Sequence, residues 1–178
     1  DRLMELSGTI ERRDFREQLL DDMDLERERG ITIKASSVRL RYRAEDGKDY
    51  ILNLIDTPGH VDFSFEVAKS LQACEGTLLI VDATQGVEAQ TVANFQLARQ
   101  QRLVILPVIN KIDLAHAQVE RVTQEIDQLF QHDMPAVTSV SAKEGRGIQE
   151  LFERIVREIP PPKGDPDQPL AALIYDSA

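Results

Sequence analysis

The chain has 178 residues, enough for one domain with a real core, and its 42% hydrophobic and 29% charged content is that of a globular protein rather than a disordered or fibrous one. A net charge of −10 excludes gripping nucleic acid by bulk electrostatics, so an RNA partner would be met through a local basic surface or through other domains. The single cysteine, Cys74, excludes an internal disulfide and fits a reducing compartment, and no apolar run is long enough to cross a bilayer.

Residues 1–7 read as the end of a helix, with Leu3 and Leu6 on one face and Gly8 as the stop. The charged start, Asp1-Arg2-Leu3-Met4-Glu5, does not read as a signal peptide, and both ends read as cuts. Phe15, Leu19 and Met23 recur at four-residue spacing, which allows a helix with one docking stripe over 11–28. The block Asp24 to Arg29 fits a mobile, solvated segment equally well. Val38, Leu40 and Tyr42 alternate with Arg39, Arg41 and Arg43, a half-exposed strand whose arginines face solvent. Asp46-Gly47 turns the chain, and Tyr50 to Ile55 return as the second strand of a hairpin.

That second strand ends in Asp56, followed by Thr57-Pro58-Gly59-His60. Phe63, Val67, Leu71 and Cys74 then mark an amphipathic helix ended by Gly76, and Cys74 reads as a packed thiol. Thr77 to Val81 form a second buried strand ending at Asp82, which reads as a helix cap in preference to a pocket residue. Residues 88–101 are helical, and Leu103 to Val108 form a third strand running into Asn110-Lys111-Ile112-Asp113. Val119, Val122, Ile126, Leu129 and Phe130 stripe the next helix; His116 and His132 read as surface histidines. A short strand near Val137 to Val140 leads into Ser141-Ala142-Lys143, and Ile148 to Ile159 form a last helix stopped by Pro160-Pro161-Pro162. Strands alternating with helices predict an α/β fold: a mostly parallel sheet with one antiparallel edge strand, helices on both faces, and ligands at the carboxyl ends of the strands. The domain is expected over 1–160, a Pro-, Gly- and Asp-rich linker over 161–169, and the start of another domain over 170–178.

The strand-end loops carry the chemistry. A carboxylate at Asp56 can hold Mg²⁺ through a water; Gly59 lets its N–H approach a phosphate oxygen; His60 can orient an attacking water. The plain alternative is a strand, an ordinary turn and a cap. Asp113 suits guanine, whose adjacent N1–H and N2–H₂ both find acceptors in one carboxylate, whereas adenine would leave it unmatched. Asn110 can hold the base edge, the stem of Lys111 can lie over the base, and the Ala142 N–H can meet the O6 acceptor. Alone, each of these loops fits a cap or a polar turn; two at successive strand ends after D-T-P-G point to one nucleotide. The Thr32 hydroxyl of Arg29-Gly30-Ile31-Thr32 can bind Mg²⁺ when a γ-phosphate is present, an order–disorder switch, though a threonine opening a strand reads the same.

D-T-P-G-H, R-G-I-T and N-K-I-D together resemble the GTPase domain of the translation-factor class, that of elongation factors G and Tu. The runs 24–35, 51–63 and 159–165 are similar to the LepA (elongation factor 4) family, and the likeness covers essentially the whole chain. It implies a P-loop-NTPase-like G domain whose substrate is GTP, with Mg²⁺ as cofactor. Thr32 is implied as the metal and γ-phosphate switch residue, Asp56 as the residue that holds the metal through a water, Gly59 as the γ-phosphate donor and His60 as the water-orienting residue. Thr57 and Pro58 complete the phosphate-side loop, and Ile31 is one half of a hydrophobic gate holding His60 back. Asn110, Lys111, Asp113, Ser141, Ala142 and Lys143 are implied to bind guanine. Arg29 reads as a switch or ribosome contact in preference to an arginine finger, which stays the alternative. The implied protein is a monomeric, cytoplasmic, ribosome-bound GTPase active in back-translocation and fidelity, with possible peripheral association on the cytoplasmic face of the membrane. The sequence departs from the family in one respect: no G-x-x-x-x-G-K-[ST] occurs, so the first strand and phosphate loop are expected to be absent and these residues alone to bind GTP poorly and hydrolyse it negligibly. Alternatives are a nucleotide sensor without useful hydrolysis, a TypA-like or elongation factor G-like GTPase, and an α/β domain that binds no nucleotide.

Overall fold

The computed structural model describes residues 2–8, 20, 24–164 and 167. The stripe Phe15, Leu19 and Met23, and the segment beyond 167, lie outside the described residues.

Helix α1 (Arg2–Leu6) stops before Gly8 as expected. The charged block forms a short helix, α2 (Asp24–Arg29). Strands β1 (Ser36–Arg43) and β2 (Asp49–Asp56) make the antiparallel hairpin, in register from Ser36 opposite Asp56 to Arg43 opposite Asp49. Its turn is closed by Asp46, whose Oδ1 accepts from the Lys48 N–H at 2.9 Å, and by Gly47 at φ +82°, where a side chain would be strained. The three arginines of β1 are exposed, as the alternation predicts.

A helical turn over 61–63 leads into α3 (Ser64–Leu71). Gly76 does not end this helix. It opens β3 (Gly76–Asp82), and a Cβ there would lie 2.8 Å from the Ile159 side chain, so close packing rather than helix termination selects glycine. The remaining elements are α4 (Ala89–Gln100), β4 (Val104–Asn110), α5 (Val119–Leu129), β5 (Thr138–Ser139) and α6 (Ile148–Glu158). Strands β3, β4 and β5 are parallel neighbours, with Asp82 paired to Asn110 at the carboxyl ends.

The expected parallel and antiparallel parts are both present, but as two sheets rather than one: β1–β2, and β3–β4–β5. Among the described residues no strand pairs β2 to β3. Side chains join the sheets instead. On one face of the parallel sheet, Leu79, Val81, Ile105 and Ile109 pack with Val67, Leu71, Phe95, Ala98, Val122 and Ile126 from α3, α4 and α5. On the other, Val108 joins Met4, Leu40 of β1, Val140 and Ile148, Leu151 and Phe152 of α6. Alternate residues of β4 thus serve opposite cores, the period-two geometry of a strand covered on both faces. Phe152 also stacks on Tyr42 of the hairpin, with ring centroids 4.4 Å apart. β3 is less buried than its composition predicts: Ile80 is 59% exposed, on the face opposite Leu79 and Val81.

Candidate functional site: interlocked loops at the strand ends

The parallel sheet brings three carboxyl ends to one edge, and the loops there lock one another. The Ser141 hydroxyl, fully buried, donates to Asp113 Oδ1 at 2.6 Å and accepts from the Glu144 N–H at 3.1 Å. The Ala142 N–H donates to Asn110 Oδ1 at 3.0 Å. Ile112 N–H reaches the Val140 carbonyl, and Val140 N–H reaches that of Ile109 at 2.7 Å. The loops 110–113 and 141–143, remote in sequence, are therefore one structural unit. The Ser141 hydrogen bond, with lesser help from the Lys143 and Arg146 charges, holds the Asp113 carboxyl below its usual range. Asp113 is no helix cap, since α5 begins only at Val119.

Lys111 stands at φ 67°, a left-handed conformation uncommon for a side chain of this length, and is 56% exposed at its side chain. Its Nζ lies 2.6 Å from Asp82 Oδ2. Asp82 does not cap a helix; α4 starts seven residues later, and the carboxylate instead accepts from Thr84 N–H at 2.7 Å and Thr84 Oγ1 at 2.6 Å.

The residues expected on the phosphate side lie at the end of the hairpin. Asp56, half-buried, closes β2, with Thr57 and a buried Pro58 after it. Ser36 pairs with Asp56, so Thr32, four residues earlier, is within about 13 Å of extended chain of that end. The Ile31–Lys34 loop is pinned by Glu26, 2% exposed, whose Oε1 accepts from Ile33 N–H at 2.8 Å and Lys34 N–H at 3.0 Å. Ile31 is itself exposed. A Cβ at Gly59 would meet nothing within 4 Å, and the Gly59 carbonyl accepts from Asn94 Nδ2 of α4 at 3.3 Å. His60 is exposed, and its Nδ1 accepts from Asp62 N–H at 3.2 Å. The Asp62 carboxylate also approaches the same nitrogen, with Oδ2 at 3.4 Å.

Sequence reasoning missed three residues that brace these loops and read a fourth, Asp82, as a helix cap. Glu26 sits in a run of charges where nothing marks one carboxylate as buried. Arg2 of α1 donates to the carbonyls of Ala142 and Lys143, and Asn94 braces Gly59. Asp82 was visible as a carboxylate at a strand end, the same signal that marked Asp56. His116 and His132 are at the surface, as expected. The Cys74 thiol is packed and donates to the Ser70 carbonyl; partial burial pushes its pKa up. A hollow of about 330 Å³ lined by Phe95, Arg99, Phe130 and Glu158 opens at the far, amino-terminal end of β4 and has no part in this site.

The fold and the strand-end loops define a nucleotide-binding α/β domain of the translation-factor kind, and the chain belongs to the family of the elongation factor Tu GTP binding domain, whose model matches residues 1–161. Within that family it is 60% identical over 177 residues to elongation factor 4 of Desulforudis audaxviator and 62% identical to that of Solibacter usitatus, covering 99% of this chain and 29% of each relative. Elongation factor 4 of Aquifex aeolicus is 60% identical over the same span, 30% of its length. The chain thus spans about 30% of the proteins it matches, and the expected likeness to the elongation factor 4 line is borne out. Among solved structures, translation elongation factor SelB from Methanococcus maripaludis, in complex with the GTP analogue GppNHp, is similar in fold: TM-score 0.65, 24% identity, 71% of this chain and 28% of that one.

Proposed function

We propose that this chain is the nucleotide-binding domain of a ribosome-associated GTPase. The whole protein binds GTP and GDP, hydrolyses GTP to GDP and phosphate, and acts in elongation, on back-translocation and fidelity. The observation that carries the reading is the mutual lock of the 110–113 and 141–143 loops, which aims a carboxylate and a backbone donor from one rigid edge. Asp113 has acceptor capacity left after Ser141, enough for the N1–H and N2–H₂ of guanine. Ala142 N–H, now on Asn110, supplies the donor for O6 by sharing or exchange, and Lys143 completes the rim.

On the phosphate side, the Thr32 hydroxyl would hold Mg²⁺ directly and the Asp56 carboxylate would hold it through a water, both being hard oxygen donors of the kind this ion prefers. When bound, the ion neutralises phosphate charge. Thr57, Pro58 and Gly59 bring a backbone N–H to the terminal phosphate. His60 holds a water in line through its ring; it need not be a strong base, because positioning is most of what phosphoryl transfer requires. Ile31 screens His60 until the ribosome docks.

The division into a domain over 1–160, a linker over 161–169 and a following domain from 170 belongs to the same reading, as do a monomeric state, a cytoplasmic location and peripheral contact with the inner membrane face. Among the described residues no helix is long and apolar enough to cross a membrane. His60→Ala in the whole protein should slow ribosome-stimulated GTP hydrolysis by about a hundredfold or more while GDP affinity changes little. Equal losses in hydrolysis and binding would remove His60 from the reaction, and no multiple-turnover phosphate release with ribosomes would leave a nucleotide sensor.

A further inference from the structure

We propose that Asp82 is the positioning residue for Lys111, tethering its ammonium so that the methylene stem is held in place as one wall of the base pocket; this rests on the reading of the 110–113 loop as a guanine site. The geometry is specific at both ends. Lys111 occupies a left-handed backbone conformation, which a lysine keeps only where its surroundings dictate it. It is one of the few non-glycine residues with positive φ among the described residues, and it lies between Asn110 and Asp113, both fixed by their own hydrogen bonds.

At the other end, both oxygens of Asp82 are committed. Oδ1 takes two bonds from Thr84, which fixes the plane of the carboxylate, and Oδ2 points to the lysine at 2.6 Å. The turn beneath is itself braced. Gly86 N–H donates to the Asp82 carbonyl at 2.9 Å, and Ala83 N–H to the Asn110 carbonyl at 2.8 Å. Arg121 of α5 donates to the Thr84 carbonyl, and Glu125 of α5 accepts from Val87 N–H at 2.9 Å. The Asp82 side chain is only 14% exposed. Partial burial works against its charge, but the hydrogen bonds from Lys111 and Thr84 and the lysine charge outweigh it, and the carboxyl sits at about 2.

A free lysine side chain populates many rotamers, and a ligand that needs one of them must bear that ordering cost on binding. The tether removes the cost in advance. A carboxylate that only stapled its own turn through Thr84 would have no energetic coupling to Lys111 in nucleotide binding, which separates the two roles.

The test is a double-mutant cycle on the release of fluorescently labelled GDP from the whole protein that carries this chain. Asp82→Asn and Lys111→Met should each speed release about tenfold, the scale of one charge-assisted hydrogen bond. The double variant should release no more than about twofold faster than the faster single one. Thr84→Val, which leaves the Asp82 charge in place, should have a smaller effect than Asp82→Asn. Unchanged release from Asp82→Asn, or effects that multiply in the double variant, would overturn the tether. If Asp82→Asn does not fold, Asp82→Glu, which moves the charge by one methylene, takes its place in the same cycle. A separate variant, Asp113→Asn, should shift preference from guanine to xanthine nucleotides, because xanthine presents a C2 carbonyl where guanine has an amine. If that shift occurs and the cycle multiplies, only the tether falls. If it does not occur, the base-site reading falls and the tether with it.

Discussion

A single hydroxyl, that of Ser141, donates to Asp113 and accepts from Glu144 N–H, so one buried atom sets both the carboxylate and the start of the following turn. Arg154 plays a comparable part in the core. Its side chain is 4% exposed; Nη1 donates to Thr138 Oγ1 at 2.7 Å, and Nε and Nη2 grip Glu158 at 3.0 and 2.9 Å. The Arg154 hydrogen bonds lower the Glu158 pKa to about 2 from 4.5, against some desolvation, with Arg157 adding to the effect. Glu158→Gln leaves a buried guanidinium without its counter-charge and should destabilise the chain by about 3 kcal/mol, measured by urea unfolding at neutral pH. The pH dependence follows from the direction of the shift. A depressed carboxyl contributes fully above about 4.5 and loses its contribution as pH falls toward 2, so the difference between wild type and Glu158→Gln should shrink across that window. A constant difference down to pH 2 would show that the pair does not act through charge.

At the scale of elements, α6 does most to join the two sheets. Its apolar stripe meets Leu40 of the hairpin and Val108 of β4 in one cluster. Its start depends on Gly147, at φ 73°, where a Cβ would stand 2.4 Å from the Ser139 carbonyl oxygen. Gly147→Ala combines a left-handed alanine with a backbone clash, and should cost roughly 2 kcal/mol or more. The check is thermal unfolding, alongside Gly145→Ala: residue 145 also has positive φ but open space around it, so its variant should lose less. Equal losses would mean that strain in φ, not the clash, governs both sites. Element boundaries were the less legible part of the sequence. The break between α3 and β3 was misplaced at Gly76 because a glycine after an amphipathic stripe reads as a stop, while its actual constraint is Ile159, more than eighty residues away.

For the molecule as a whole, β4 is the shared member of both cores. Ile109 belongs to one and Val108 to the other, and both edges of the strand are paired. Amides of β4 should therefore be among the slowest to exchange with deuterium, and those of the β1–β2 hairpin faster, since β2 pairs only with β1 among the described residues. Equal protection in both sheets would argue that they open together.

Period and punctuation settled much of this protein in advance. Alternation marked the hairpin, 3.6-residue stripes marked α5 and α6, and strand-end motifs marked Asp56, Asn110, Asp113 and Ser141, because these signals are local and survive in a linear string. The burial of Glu26, the grip of Arg2 on the 141–143 loop, the separation into two sheets and the reach of Lys111 to Asp82 were decided only by the fold. Each depends on which residues distant in sequence become neighbours in space, and a carboxylate's burial or partner is set by that neighbourhood, not by its own side chain.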